Sequence, residues 1–334
     1  MHAQQRGAAL LAALLVVVLV TTLVSGLLWQ EHVRIRMLEN QRMRDQARWL
    51  GTGVVDWARL ILRDDLFRTR AVDHLGEVWA VPIAETPLSE FLSGQGMTGV
   101  TPEDEETWLT GAIVDATSRF NLMSLVETSN TLGDRGWVSA TRVNAEAVAI
   151  FARLLQSVGL DASGAPIVAQ AMLQSHLPQS AVGDTPLPVE QVQDLLDVIP
   201  GATQDTLAQL APLTVVLPRP TPVNANTAPA PVLAAVFAID ISVAQQLVTD
   251  RDQAFFVDYP SLVQRAHQRA PQALAISTHN LSVSSEYFWV AERLRYGRIS
   301  VTEQALIARR IGPGNITQVL WLKSGLPAGV DLGG

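Results

Sequence analysis

A long uncharged apolar run near the N-terminus dominates the pattern of hydrophobic and polar positions along the chain. No charged residue occurs from Ala8 to Trp29. Because an α-helix rises about 1.5 Å per residue, this run would span a hydrocarbon core of about 30 Å if it is helical. The pattern therefore predicts a single transmembrane helix.

An ordinary secretory signal peptide is the alternative interpretation of this run. Signal peptides have apolar cores of about 7–15 residues followed by a cleavage site made of small residues. Ser25 and Gly26 could form a weak site of that kind, but the apolar run is longer than such a core. Its length favours an anchor that is retained.

Helical spacing continues beyond the apolar run. No proline occurs from Gln30 to Arg63, and apolar residues recur there every three or four positions among Arg, Glu, Asp and Gln. The pattern predicts one helix that extends from the run to about residue 63. We expect its weak point or bend at Gly51 and Gly53, because glycine lowers helix stability.

Short runs rich in β-branched and aromatic residues indicate strands on both sides of a helical middle section. The predicted strands are residues 79–83, 107–114, 286–292, 299–302 and 318–322, with a hairpin turn at residues 295–297. The middle, residues 126–279, is predicted to be helical, with helices at 144–158, 189–196, 203–210, 230–237 and 242–249. The last four of these helices form two helix–turn–helix units joined by the proline-rich residues 217–222.

Composition restricts the chemistry open to the chain. Its 334 residues include no cysteine, and the formal net charge is −8. The lack of cysteine excludes disulfides, zinc–thiolate sites and a cysteine nucleophile. An acidic chain also lacks the basic surface typical of nucleic-acid binding. The motifs H-E-x-x-H, G-x-S-x-G and G-x-x-x-x-G-K-S/T do not occur, so an enzyme is the least supported class of function.

The residues before the apolar run resemble a prepilin leader. Arg6-Gly7 stands directly against the run, and prepilin leaders are cut after such a glycine on the cytoplasmic side. The resemblance implies that prepilin peptidase cleaves between Gly7 and Ala8, and that Ala8 becomes the N-methylated first residue. Arginine bias alone favours the opposite orientation, since Arg6 precedes the run and four arginines follow it within residues 34–44. We give precedence to the leader because it is the more specific feature.

Four further segments are similar to one family, the type II secretion minor pseudopilins of the K subtype. They are, in chain order, residues 73–79 (DHLGEVW), 115–122 (DATSRFNL), 223–228 (VNANTA) and 281–287 (LSVSSEY). The residues assigned to the family motifs as structural are Asp115, Arg119, Phe120, Asn121, Asn224, Asn226 and Thr227. By their chemistry alone, Asn224, Asn226 and Thr227 suit turns and a helix start.

This resemblance implies an α+β fold. A type IV pilin-like N-terminal helix spine and antiparallel sheet would carry a large all-α domain inserted into the sheet. The expected parts are a leader (1–7), the transmembrane half of the spine (8–29), its periplasmic half (30–63), a pilin-like α/β head (64–125 plus 280–325) and an inserted helical domain with two helix-hairpin-helix-like units (126–279).

The resemblance also implies a structural role, with no catalytic residue, at the tip of the secretion pseudopilus. It predicts a single-pass protein of the bacterial inner membrane with its bulk in the periplasm. There it would initiate assembly with other minor pseudopilins, of the I, J and H subtypes, for export of folded proteins across the outer membrane. The inner-membrane secretion platform and prepilin peptidase are further expected partners. Helix packing in the filament is expected at the small residues Ala8, Ala9, Ala12 and Ala13.

Calcium is common in the family but is not expected here. The stretch corresponding to the family's acidic loop, residues 168–190, offers only Asp184 and Glu190, whereas Ca²⁺ takes about six to eight oxygen ligands. The acidic run at residues 103–106 is expected to be a solvated loop. No cofactor or metal is therefore predicted.

A membrane-anchored helix-hairpin-helix protein of DNA uptake is the alternative function. The paired short helices resemble such modules, which hold phosphates at glycine-rich hairpins. Here the turn at residues 238–241 lacks glycine and carries Asp240, which repels phosphate. We therefore expect no nucleic-acid partner.

Overall fold

The computed structural model describes residues 3–69, 72–94, 107–133, 136–176, 189–273, 277–310 and 316–332. The helices are α1 (Ala3–Thr69), α2 (Leu88–Gly94), α3 (Ala145–Ser157), α4 (Gly164–His176), α5 (Gln204–Leu210), α6 (Ala230–Phe237), α7 (Ile241–Gln253) and α8 (Tyr259–Arg269). The strands are β1 (Ile83–Pro87), β2 (Thr107–Asp115), β3 (Phe120–Asn121), β4 (Val126–Gly133), β5 (Gly136–Val143), β6 (Thr214–Val215), β7 (Val223–Asn224), β8 (Leu281–Ser282), β9 (Tyr287–Tyr296), β10 (Ile299–Arg310) and β11 (Ile316–Ser324). Short 3₁₀ helices lie at Val78–Ala80, Ala116–Ser118, Leu122–Leu125 and Val192–Leu196.

The spine helix α1 is continuous over 67 residues, and its two halves have different surroundings. Every side chain from Ala12 to Glu39 is exposed, and this half is long and apolar enough to cross a membrane. The second half buries one stripe of residues against the sheet, at positions that share one face of a helix: Ala47, Val54, Val55, Ala58 and Leu62. The helix runs unbroken through Gly51 and Gly53, where the sequence predicted a weak point.

The sheet has five antiparallel strands in the order β1-β2-β9-β10-β11. Strands β9 and β10 form a hairpin whose two-residue turn is Gly297-Arg298, so the turn falls within two residues of its predicted position. Gly297 has φ 53° there, a backbone conformation that favours glycine. One face of the sheet packs on α1 through an apolar core that includes Trp79, Phe288 and Ile307.

A large, mainly helical region is inserted into this sheet. Strands β2 and β9 are direct neighbours, with Thr107 opposite Tyr296 and Asp115 opposite Phe288. Everything between Asp115 and Tyr287 is therefore an excursion from the sheet, and α3 to α8 share one apolar core of their own. The architecture confirms the predicted α+β fold with a pilin-like spine, an antiparallel sheet and an inserted domain.

The helical prediction was wrong for the start of this excursion. Residues 126–143 form the antiparallel hairpin β4–β5, and the short pairs β3–β6 and β7–β8 add parallel ladders. The hairpin segments, VETSNTLG and GWVSATRV, are rich in threonine, serine and valine, which suit strands better than helices. Residues 79–83 were also misassigned, since a 3₁₀ helix at Val78–Ala80 precedes β1.

Candidate functional site: a buried polar junction and an exposed spine

A cluster of buried polar side chains connects the spine, the sheet and the inserted region. We call it the polar junction. It consists of Asp65, Asp73, Asp115, Asn224, Thr227, Ser285 and Arg309, each at most 9% exposed.

Asp115 is the acceptor at the centre of the junction, where β2 ends. Its Oδ1 accepts hydrogen bonds from the backbone N–H (2.7 Å) and the hydroxyl (2.6 Å) of Thr117. Its Oδ2 accepts from the hydroxyls of Thr227 and Ser285, both at 2.5 Å, and from the amide of Asn224 at 3.2 Å. One buried carboxylate thus holds the end of β2, the segment before α6 and the return to β9 in a single arrangement.

The two asparagines of the VNANTA segment extend these connections into the inserted region. Asn224 donates to the carbonyl oxygen of Asp73 at 3.1 Å and accepts from the backbone N–H of Asn226 at 2.9 Å. The Asn226 side chain pairs with both backbone groups of Phe256, at 2.9 and 2.8 Å. Both asparagines are buried and hydrogen-bonded, so they fix local backbone geometry rather than offering groups to a ligand.

Arg309 joins the spine to the junction. This guanidinium on β10 donates to Asp65 in the last turns of α1 (2.8 Å) and to Asp73 in the loop that follows. It lies 4.6 Å from the ring centre of Phe288 and is 1% exposed. Burial raises the pKa of Asp65 and raises that of Asp73 to about 6. The positive charge of Arg309 acts in the opposite direction but does not outweigh burial.

The remaining motif residues lie nearby and anchor other segments. Arg119 donates to the carbonyl oxygens of Ala211 (3.1 Å) and Ala328 (2.7 Å), and its guanidinium lies 4.5 Å from the ring centre of Trp289. Burial lowers the pKa of Arg119 to about 10, which leaves it charged at neutral pH. Arg119 therefore ties the C-terminal segment to the inserted region.

Phe120 and Asn121 start the path into the inserted region. Phe120 is buried and stacks on Phe151 of α3 with ring centres 5.8 Å apart. Asn121 donates to the carbonyl oxygen of Arg219 at 2.7 Å and accepts from the backbone N–H of Leu217 at 3.1 Å. Asn121 thus supplies hydrogen bonds to the proline-rich segment, whose prolines have no N–H to donate.

Sequence reasoning missed two members of the junction. Asp73 and Ser285 lie in segments recognised by resemblance, but Asp65 and Arg309 do not. Asp65 follows the predicted end of the spine, and Arg309 closes an apolar strand that shows no motif. Only the packing of α1 on β10 brings these two side chains together.

The predicted processing and packing residues lie in the N-terminal part of α1. Gly7, Ala8 and Ala9 belong to the first turns of α1, and their side chains fall outside the described ones. Ala12 and Ala13 are exposed. The acidic run at residues 103–106 and Asp184 lie outside the described residues, and Glu190 is exposed.

The helix-hairpin-helix-like pair consists of α6 and α7, which meet at 116°. Ala238 ends α6 in the left-handed conformation, φ 53°, which glycine usually adopts. Asp240 follows as the residue before α7 and is exposed. The turn therefore presents a carboxylate where a phosphate-binding hairpin presents glycine backbone.

Comparisons with known proteins point to one family. Two family models described as type II secretion system protein K match residues 118–219 and 223–284. Type II secretion system protein K of Pseudomonas aeruginosa is 29% identical over 320 residues, covering 89% of this chain and 86% of that protein. The protein of the same name from Pectobacterium carotovorum is 24% identical over 333 residues, covering 92% and 93%.

A solved structure shares the fold. It is a chain of the GspK-GspI-GspJ complex from the type II secretion system of enterotoxigenic Escherichia coli, with a TM-score of 0.57 and 20% identity. The match covers 86% of this chain and 99% of that one. The excursion between β2 and β9 contains both segments matched by the family models.

Proposed function

We propose that the chain, a minor pseudopilin of the type II secretion system protein K family, forms the tip of the pseudopilus. In this proposal its chemistry is assembly rather than catalysis. The exposed half of α1 is the membrane anchor before assembly and the filament-packing rod afterwards. The bulk of the chain lies in the periplasm.

The position of the inserted region relative to the spine is the observation that carries this proposal. Both ends of the insertion, Asp115 and Tyr287, lie at the end of the sheet where Arg309 meets Asp65. At the opposite end of the sheet, the side chain of Arg298 in the β9–β10 turn donates to Asn40 at 3.1 Å. Asn40 is about 38 Å nearer the apolar half of α1 than Asp65, at 1.5 Å per residue.

The insertion therefore leaves the sheet at the end farthest from the anchor. In a filament of parallel spines, a subunit placed above this one would have to stack on that end. A bulky domain there leaves no room for such a neighbour, whereas a subunit without the domain can be covered. This geometry favours a terminal position over one within the shaft.

We also propose the partners and the processing. A protein of the same fold is found in complex with GspI and GspJ, and this chain would assemble with the corresponding minor pseudopilins and with the H subtype. The chain would also interact with the inner-membrane secretion platform. Prepilin peptidase would cut between Gly7 and Ala8, and Ala8 would be N-methylated. Close helix packing would use Ala8, Ala9, Ala12 and Ala13, whose small side chains allow near approach.

Site-specific labelling tests the terminal position. The chain has no cysteine, so a single Gln253→Cys substitution at the exposed end of α7 gives one reactive thiol. After coupling to maleimide-gold, we expect particles at one end of each pseudopilus in electron micrographs. Particles distributed along the shaft would contradict the proposal. Unsubstituted protein, treated identically, provides the background.

A further inference from the structure

We propose that arginines beyond the apolar run of α1 bind the headgroups of anionic phospholipids, and so fix how far the spine stands out of the bilayer before assembly. We call Arg36, Arg42 and Arg44 the arginine girdle. The inference rests on the proposed function in one respect, because it requires that α1 is a membrane anchor.

The arginine girdle carries positive charge that the protein itself does not neutralise. All three side chains are exposed, and none of them has an ion pair among the described residues. The neighbouring charged groups are already paired: Arg34 with Glu31 at 3.0 Å, Arg48 with Glu303 at 3.5 Å and Arg298 with Glu39 at 3.6 Å. Asp45 is the remaining carboxylate of this part of α1. Three free arginines against one free carboxylate leave an excess of two positive charges.

The girdle lies where an upright α1 would leave the bilayer. A bilayer with its headgroups is about 40–45 Å thick, and a helix that rises about 1.5 Å per residue crosses it in about 27–30 residues. Counted from Ala8, the helix emerges near residues 35–38, where large apolar side chains are still exposed. Arg36 is then at the level of the headgroups. Arg42 and Arg44 lie within about 10 Å beyond residue 38, close to one Debye length at physiological salt.

The direction of helical side chains brings the outer two arginines back toward the membrane. The Cα–Cβ bonds of an α-helix tilt toward its N-terminus, and the N-terminal half of α1 is the apolar half. The long side chains of Arg42 and Arg44 therefore extend toward the headgroups rather than away from them. Guanidinium groups form strong, often bidentate hydrogen bonds with phosphate oxygens. All three arginines can thus serve as headgroup ligands.

The arrangement of the girdle around α1 fits lipid better than a second protein. At about 100° per residue, its three arginines point in directions about 80–160° apart. Arg42 and Arg44 accordingly line two separate clefts beside the helix. A protein docked on one face of α1 would leave at least one of the three unpaired, whereas a layer of headgroups surrounds the helix and meets them all.

One of these clefts adds a second guanidinium. Arg42 lines it together with Arg298 of the β9–β10 turn, and Glu39, Met43 and Gln46 complete the lining. Two guanidiniums against the one carboxylate of Glu39 leave one positive charge. The phosphodiester of a phosphatidylglycerol headgroup carries one negative charge, so one such headgroup neutralises the cleft.

The inference gives these arginines a role that membrane insertion does not explain. In the proposed orientation they lie on the periplasmic side, although arginine bias favours the cytoplasmic side. Basic residues beside a span attract anionic lipid through the negative surface potential of the leaflet. Contact with headgroups is therefore a reason for the chain to carry arginines at this end of the span.

Energy transfer from the spine to labelled lipids tests the inference. The chain has no cysteine, so Gln41→Cys places a single donor dye at an exposed position beside the girdle. The full chain is reconstituted in phosphatidylcholine vesicles that contain a trace of acceptor-labelled phosphatidylglycerol or phosphatidylcholine. For this parent we expect at least about threefold enrichment of the anionic lipid over the zwitterionic one around the donor. High salt should reduce the enrichment, because it screens exposed charges.

The girdle variant combines Arg36→Gln, Arg42→Gln and Arg44→Gln in the same labelled chain. Glutamine and arginine have similar helix propensities, so the substitutions remove charge with little change in the helix. We expect the enrichment of phosphatidylglycerol to fall to about one, which is no preference. Thermal unfolding of the head should be unchanged, since the three side chains are exposed.

A matched control removes three exposed arginines from the opposite end of the spine and sheet. It combines Arg63→Gln, Arg68→Gln and Arg310→Gln. Arg63 lies about 28 Å farther along α1 than Arg44, well beyond a Debye length, so the control should keep the enrichment of the parent.

Three results would overturn the inference: an inserted parent without a preference for phosphatidylglycerol, a girdle variant that keeps the preference, or a control that loses it equally. A chain that does not stay in the vesicles would contradict the proposed anchor as well. An inserted chain without lipid preference leaves the anchor standing and contradicts the role of the girdle alone.

Discussion

Glu292 and Glu303 face each other across the centre of the sheet, beneath the spine. They are directly opposite on β9 and β10, and both are buried. Arg48 of α1 reaches Glu303 at 3.5 Å, whereas Glu292 Oε2 and Glu303 Oε2 have no hydrogen-bond partner among the described residues. Burial, reinforced by the negative charge of Glu303, raises the pKa of Glu292 from 4.5 to about 8.

This raised pKa predicts a pH dependence of stability. At neutral pH the folded chain holds a proton on Glu292 that the unfolded chain releases. The contribution of this group to stability is therefore complete below about pH 4.5 and is lost as the pH rises through about 8. Glu292→Gln cannot ionise and should escape that loss. At pH 9 we expect the variant to be more stable than the parent by about 2–4 kcal/mol, measured by urea unfolding at pH 5, 7 and 9.

The pH 5 measurement is the internal control for this prediction. There the parent side chain is already protonated, so the parent and the variant should have similar free energies of unfolding. If the difference between them does not change from pH 5 to pH 9, Glu292 is ionised in the folded chain at neutral pH and the account of this pair is wrong.

The same pair explains a glycine in the spine. A Cβ at Gly51 would collide with Glu292 Oε1 and lie 3.4 Å from Glu303 Oε2, whereas a Cβ at Gly53 would meet nothing within 4 Å. Gly51 is buried against the sheet and Gly53 is exposed. The first glycine permits close packing of helix on sheet, and the second has no such role.

Two alanine substitutions separate these roles. Gly53→Ala should stabilise the chain by up to about 1 kcal/mol, because alanine is the better helix former. Gly51→Ala gains the same propensity but must displace a buried carboxylate, so we expect a net loss of about 1–3 kcal/mol. Urea unfolding of the two variants and the parent at one pH measures both effects. Equal effects of the two substitutions would refute the packing role of Gly51.

At the scale of elements, the sequence predicted those helices and strands whose bounds follow from the local pattern of apolar and polar residues. Helix α6 was predicted at its observed bounds, and α3, α5 and β2 within two residues, because each has strong periodicity or a clear start. Helix α8 lies within the section predicted to be helical but was given no bounds of its own, and its proline stands in the first helical turn, where proline is tolerated. The polar hairpin β4–β5 was missed because it lacks the apolar alternation that identifies strands.

The candidate site was predictable only in part, for a related reason. Asp115, Asn224 and Thr227 lie in recognisable segments, yet nothing local indicates that all three share one set of hydrogen bonds. Asp65 and Arg309 are separated by most of the chain and meet only through tertiary packing. Such partners cannot be inferred from a single sequence, because neither has a spacing that implies the other.

At the scale of the whole molecule, the spine extends far beyond the head that covers its second half. Large apolar side chains remain exposed beyond the predicted membrane span, including Ile35, Met37 and Leu38. A long apolar surface of this kind requires lipid or neighbouring helices around it. The account therefore depends on α1 being retained in the mature chain.

Mass spectrometry of the mature N-terminus tests this dependence most directly. The chain is isolated from membranes of cells with and without prepilin peptidase. With the peptidase, we predict a product that begins at N-methylated Ala8 and keeps the whole of α1. Without it, the product should retain the leader. A mature chain that begins after Ser25, or one that keeps its leader in the presence of the peptidase, would contradict the account.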